Sequence, residues 1–228
     1  MSNNSLSKKK MNVAIVGARA DGHAGSILDA LSYFKNITVV AFFDNSTNKL
    51  NKKIHGIPVI GNIDKILEFD DVKIDAIHVA IGDNKARFDL YRKLEIMGLQ
   101  LLTIIHPNAI TSKSAKIGEG CFIGANVIIQ NNVFIDDYSI INTGAIIEHD
   151  NVIGKAVHLA PSSCTAGRVI IKDLAFIGIG ALIVPDITIG YSVFVNAGVV
   201  VKKNVEDGLK MVGYSAKAHS KNIYLDSP

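Results

Sequence analysis

Cys121 and Cys164 are the only two cysteines in 228 residues, so a disulfide framework is excluded. No group of Cys and His has metal-ligand spacing, and no metal is expected. The formal net charge is only +3, and Lys8, Lys9 and Lys10 account for that much by themselves. No basic face is left over for nucleic acid. No apolar run approaches the roughly 20 residues needed to span a bilayer, so no membrane insertion is expected. With 48% hydrophobic and 20% charged residues, the chain also falls outside the disordered class. Lys8-Lys9-Lys10, the apolar run MNVAIVG and Ala18-Arg19-Ala20 have the layout of a signal peptide. That apolar run sits at the lower length limit and reads better as a first β-strand, which places the protein in the cytoplasm.

What the sequence does have is a period of six. The residues Ile117, Ile123, Ile129, Ile135, Ile141, Ile147, Ile153, Leu159, Thr165, Ile171, Ile177, Ile183, Ile189, Val195 and Val201 form one series, broken only by Thr165. Four residues after each member comes a second series, from Cys121 and Val127 to Val199 and Val205, mostly small or β-branched. Neither a helix (3.6) nor an alternating strand (2) has this period. It is the signature of a β-helix of hexapeptides, in which the first position fills the core and the fifth fits beside it. Three sixes close a triangular coil of about eighteen residues, and coils stack at about 4.8 Å. Cys121 falls at a fifth position and reads as a small core residue.

The preceding part alternates strand and helix. Residues 1–10 are expected as a disordered tail. Strands are expected at 11–17, 38–43, 74–81 and 101–105, with helices at 24–34 and 85–97, a short extended piece at 57–60 and a short helix at 63–69. Residues 11–106 therefore predict a small, open, parallel sheet of Rossmann type. Pro107 ends this unit, 107–205 form the β-helix, and 206–228 leave the six-residue phase and are expected to run back along its surface. Gly17, Gly22 and Gly25 do not make a G-x-G-x-x-G fingerprint. Glycine near a helix start still allows backbone N–H groups to approach a phosphate, and Asp44 stands where an acid can bond a ribose or base. Turn chemistry explains each of these residues equally well.

Ile147-Glu148-His149-Asp150 places a histidine at a corner between two acids. A histidine beside a carboxylate has the make-up of a general base, and a solvated polar corner is the plainer alternative. His149 and His158 are nine residues apart, half a coil, and so on different sides of the prism. Prisms packed about a threefold axis would bring His149 of one subunit to His158 of another. Gly167 lies one coil beyond His149, where its N–H would face an oxyanion.

These features resemble the PglD/NeuD-type hexapeptide-repeat acyltransferases of nucleotide-sugar metabolism. The resemblance covers about residues 11–217. It rests on Gly22-His23, Asp44-Asn45, Ala80-Ile81-Gly82-Asp83-Asn84, Asn142-Thr143, Ile147-Glu148-His149-Asp150, His158 and Gly213-Tyr214-Ser215-Ala216-Lys217. It implies a left-handed β-helix and a cytoplasmic homotrimer with active sites between subunits. The implied activity is acetyl-CoA-dependent N-acetylation of a nucleotide-linked amino sugar, of the 4-amino-4,6-dideoxy type, for glycan biosynthesis. Carried over, His149 is the base, Asp150 orients it and Gly167 supplies the oxyanion N–H. His158, Gly167, Ile179 and Ala197 contact acetyl-CoA. Asp21, Gly22, His23, Asp44, Asn45, Gly82 and Asn142 hold the nucleotide sugar. The first glycine loop is longer than in the family, Asp150 stands where relatives often carry Glu, and Ser215 stands where Pro is commoner. O-acetylation of a sialic-acid-like sugar and a non-catalytic trimeric scaffold are the competing readings.

Overall fold

The computed structural model describes residues 10–18, 22–46, 49–50, 52–68 and 73–213. The N-terminal tail, Asp21 and the Tyr214–Lys217 part of the closing motif lie outside the described residues, as does the rest of the C-terminal segment.

The N-terminal sheet is built from β1 (Met11–Val16), β2 (Ile37–Phe43), β3 (Lys53–Ile54), β4 (Ile57–Gly61) and β5 (Ala76–Val79), in the order β3-β4-β2-β1-β5. β1 pairs in parallel with β2 and β5, and β2 with β4. Helices α1 (His23–Ser32) and α2 (Asn84–Ile96) connect them, as the alternation predicts. The sheet is mixed, not wholly parallel, because β3 pairs antiparallel with β4. His55 and Gly56 both have positive φ, 49° and 80°, which is the backbone of a two-residue hairpin turn. The expected fourth strand divides. Leu101 bridges to Ile77, while Ile104–Ile105 pairs with Phe122–Ile123 and opens the β-helix ahead of Pro107.

From there two-residue strands recur every six residues on three faces, all parallel. The first face has seven strands, from Ile104–Ile105 to Lys210–Met211. The second has six, from Ile110–Thr111 to Val200–Val201, and the third has five, from Lys116–Ile117 to Thr188–Ile189. Registers such as Ile129↔Ile147 and Ile147↔Thr165 advance by eighteen residues per coil. First and fifth positions are buried in one continuous core from Cys121 to Val205. At every corner from Gly120 to Gly198 the fourth residue of the six takes a left-handed backbone. That conformation costs a non-glycine residue about 1–2 kcal/mol. At Tyr138, Ala156 and Leu174 the cost is offset by burial against Tyr91 and Leu94 of α2. The last coil is shorter by two residues: Lys210–Met211 pairs with Phe194–Val195. The segment expected to run back over the surface from 206 instead stays in the helix as far as Met211.

The N-terminal unit sits on the first face. Its outward residues Ile104, Phe122 and Ile140 are buried in one core with Ala24, Ile27, Ala30 and Leu31 of α1. α1 therefore lies along the edge between the first and second faces, and α2 along the edge between the third and first. Among the described residues no helix is long and apolar enough to cross a membrane.

Candidate active site

The edge between the second and third faces carries His149. Asp150 has φ 59°, and this left-handed turn swings its carboxylate back on to the preceding imidazole. His149 Nδ1 and Asp150 Oδ2 are 2.7 Å apart, and Asp150 Oδ1 accepts from Asn132 Nδ2 at 3.0 Å. The bonds from His149 and Asn132 hold the Asp150 carboxyl below the usual range. An ionised carboxylate only accepts, so Nδ1 carries the imidazole proton and Nε2 presents a lone pair outward. The side chain is 41% exposed. The shorter acid that departs from the family pattern does reach. Gly167, one coil on, lies flush against this ring: a Cβ there would stand 2.6 Å from His149 Cε1 and Nε2. The structure thus brings together the three residues expected at the reacting centre.

His158 is on the first face, away from His149 in the same chain, as the half-coil spacing implies. Its Nε2 lies 3.3 Å from Asn142 Nδ2, and Asn142 Oδ1 accepts the Thr143 N–H at 2.8 Å. Burial first, and the Arg87 charge second, push the His158 pKa down to about 4. His23, edge-on to Phe122 at 4.7 Å, is lowered to about 3 by burial and by the charges of His78, His158 and Arg87. His78 is lowered to about 4, again chiefly by burial. All three histidines are neutral at physiological pH.

Arg87 organises this region, and nothing in the sequence reading singled it out. It is 1% exposed, and among the described residues it donates only to neutral acceptors. These are Tyr138 O (2.8 Å), Ile81 O (3.0 Å), Gly82 O (3.2 Å), Asn84 Oδ1 (2.9 Å), Ala156 O (2.9 Å) and Val157 O (3.4 Å). Burial lowers its pKa to about 10. One guanidinium thereby ties the Gly82 loop to two coils of the β-helix. Asn84 Nδ2 adds bonds to Leu174 O and Ala175 O at 3.0 and 2.9 Å. The only signal in the sequence was an arginine one turn into a helix that follows Gly82-Asp83.

Gly22 caps α1 with extended backbone and no side-chain bond. The first-turn N–H groups of a helix have no partner within it, so this end of α1 favours an anion. Asp44 is more committed than expected. Its carboxylate accepts from Ala18 N (2.8 Å), Lys49 Nζ (2.9 Å) and Ser46 N (2.8 Å). Burial opposes its ionisation, but these bonds outweigh it and bring the pKa to about 2. Asn45 Oδ1 faces the Ile63 N–H at 3.5 Å.

A cleft of about 320 Å³ opens between α1 and the first–second edge, lined by Gly25, Ser26, Asp29, His106, Phe122 and Thr143. His106 Nδ1 accepts the Asn108 N–H at 3.1 Å, so its proton sits on Nε2, 3.9 Å from Asp29 Oδ2. In the sequence His106 stands out only as the residue before Pro107, where the N-terminal unit closes. Thr143, Pro161, Ile179 and Ala197 occupy the same corner position in successive coils, and Ile179 is exposed. One edge therefore runs from the cleft down to Ile179 and Ala197, two of the four residues expected to contact the acyl donor. Among the described residues no group of three or more His, Cys, Asp or Glu is placed to hold a metal ion.

A Rossmann-like unit seated on a left-handed hexapeptide β-helix, with an imidazole–carboxylate pair on one edge, defines the hexapeptide-repeat acyltransferase class. Residues 12–94 match the PglD N-terminal domain family. Perosamine N-acetyltransferase from Caulobacter crescentus, solved in complex with CoA and GDP-perosamine, is 36% identical. That match has a TM-score of 0.82 and covers 92% of this chain and 97% of that one. The acetyltransferase domain of PglB from Neisseria gonorrhoeae, in complex with acetyl coenzyme A, is 29% identical, with a TM-score of 0.78 over 89% and 95% of the two chains. UDP-N-acetylbacillosamine N-acetyltransferase of Bacillus subtilis is 47% identical over 47 residues, which span 21% of this chain and 22% of that protein. The chain belongs to the PglD-type family of sugar N-acetyltransferases.

Proposed function

We propose that the protein transfers the acetyl group of acetyl-CoA to the amino group of a nucleotide-linked 4-amino-4,6-dideoxy sugar. The observation that carries this reading is the His149–Asp150 pair with the Gly167 backbone flush against the imidazole. The sugar amine attacks the thioester carbonyl carbon. His149 Nε2 takes the proton the nitrogen loses, and Asp150 supports the resulting imidazolium. The Gly167 N–H stabilises the oxyanion until the C–S bond breaks and CoA leaves, taking up a proton as the free thiol. General-base help of this kind is worth about 10²–10⁴-fold and an oxyanion donor about 10²–10³-fold.

In this reading the nucleotide lies on the N-terminal unit, 11–106. Its diphosphate is at the α1 N-terminus by Gly22 and His23, with Asp21, Asp44, Asn45 and Gly82 around it. The sugar enters the cleft beside Thr143 and Asn142. Acetyl-CoA runs along the β-helix edge past His158, Ile179 and Ala197. A homotrimer completes the site by presenting His149 of one subunit to the first–second edge of the next. Its support is apolar outward residues on the two faces that meet at His149: exposed Ile110, Leu182 and Val200 on the second, and Phe134, Val152 and Ile170 on the third. The cytoplasm is the proposed location.

Thiol release from acetyl-CoA, measured with UDP-, dTDP- and GDP-linked 4-amino sugars and with a sialic acid, tests the proposal. Release with one amino sugar, lost in His149→Ala, supports it. Release with the sialic acid alone would move the reading to O-acetylation.

A further inference from the structure

Fifth positions of the sixes point into the prism, and most carry Val, Ala or Ile. Where the side chain can donate, the structure repeats one of two bonds. Cys121 Sγ and Ser139 Oγ reach a carbonyl fifteen residues on, at the corner of the next coil: Asp136 O at 3.2 Å and Gly154 O at 2.8 Å. Ser163 Oγ reaches back to its own corner, Ala160 O, at 2.8 Å. Asn151 makes both at once. Its Nδ2 donates to Glu148 O at 2.7 Å and to Ala166 O at 2.8 Å, with His149 O beside them at 3.2 Å. A hydroxyl or thiol has one proton to give, whereas a primary amide has two on one atom.

The two carbonyls it grips are those immediately before His149 and Gly167. Asn151 is fully buried, and among the described residues its Oδ1 has no partner. Thr165, the single break in the inward aliphatic series, sits one coil above Ile147. Its Oγ1 is likewise buried and unpartnered, and its carbonyl accepts the Glu148 N–H at 3.0 Å. An orphan buried oxygen costs stability, and valine fits the fifth position elsewhere in this prism. A polar pair retained under this one corner therefore points to a role there beyond packing.

We infer that Asn151 is a positioning residue that clamps the His149 corner to the Gly167 corner and sets the gap between imidazole and oxyanion donor. The inference rests on the reading of His149 as general base. A misplacement of about 1 Å costs about 10²-fold in such sites. Asn151→Val removes both bonds, and Asn151→Ser keeps a single donor.

Steady-state kinetics with acetyl-CoA and the nucleotide amino sugar, alongside thermal melting, test it. Expected is a kcat lowered at least about tenfold in Asn151→Val, with KM for acetyl-CoA within about twofold and the protein still fully folded at the assay temperature, so that the loss of rate exceeds what any fall in melting temperature explains. Asn151→Ser should fall between, and Thr165→Val should lose less and add nothing on top of Asn151→Val. Wild-type kcat in Asn151→Val, or a loss that only tracks a fall in melting temperature, would overturn the inference. His149→Ala run in parallel separates the two levels. If that variant turns over at close to the wild-type rate, the general-base reading fails; if it loses about 10²-fold or more while Asn151→Val is fully active, only the clamp fails.

Discussion

Asp150 adopts a left-handed backbone and, from that position, bonds the imidazole of the residue before it, Oδ2 to His149 Nδ1, at 2.7 Å. Neighbouring residues in an extended strand point to opposite sides. Here the corner φ of 59° lets them face each other. The bond sets the tautomer, so removing it should act on rate more than on folding. His149→Ala should lower kcat by about 10²–10⁴-fold. Asp150→Asn should lower it less, and Asp150→Glu, restoring the family's commoner acid, should keep most of it. Melting temperatures should stay near wild type in all three, because a half-exposed pair contributes little stability.

Gly167→Ala puts a methyl group 2.6 Å from the imidazole carbon and nitrogen. The ring is the more mobile partner and must swing away from the backbone N–H. A fall in kcat of about 10²-fold is expected with little change in thermal stability, since the imidazole that must yield is itself half-exposed. Kinetics and a thermal melt on one preparation check both halves.

Arg87→Met should behave in the opposite way. It strips donors from the carbonyls of Tyr138, Ala156, Ile81 and Gly82, all held under the domain junction. Buried acceptors left unmet cost about 1–3 kcal/mol each, so a loss of at least about 3 kcal/mol in urea unfolding is expected. Arg87→Lys should recover little, because an ammonium cannot spread its donors across that fork.

Stability should fall on mild acidification. His78 and His158 are lowered to about 4 and His23 to about 3 in the folded protein, against 6.5 unfolded. The unfolded chain binds the extra protons between those values, so stability is full above about pH 6.5 and is lost as pH drops towards about 4. Asp44, lowered to about 2, adds a further loss below its ordinary value of 3.8. Melting temperature measured from pH 7.5 to 4 should decline across this range. A flat profile to pH 4.5 would contradict the burial of the histidines.

Leu182→Asp places a charge on the second face, where Leu182 is 45% exposed in the single chain. If that face joins subunits, light scattering should report a smaller particle and acetyl transfer should fall with it. An intact trimer with full activity would remove the second face from the interface.

Much of this molecule is legible in its sequence because the β-helix is nearly one-dimensional. Each inward Ile at a first position stacks on the residues eighteen before and after it, so a period of six reports the coil directly. The alternation before residue 106 likewise announces β1, α1, β2, β5 and α2. The β3–β4 hairpin was missed because His55-Gly56 is a weak turn signal without flanking alternation. The division of 101–105 between two sheets was missed because an apolar pentapeptide says nothing about its pairing partner.

The sequence by itself determined the prism, its core and the corner that carries His149 beside an acid, since all of these depend on residues a fixed number of positions apart. Only the tertiary structure decided that Gly167 touches the imidazole, that Asn142 meets His158, and that Arg87 joins the domains through carbonyls of Tyr138 and Ala156. It also showed Asp44 already holding Ala18, Ser46 and Lys49. These contacts arise where an irregular surface of loops packs on a regular one. There the partner of a polar group is chosen by which carbonyl or N–H is left buried and unmet, a property of the assembled interface that no local spacing encodes.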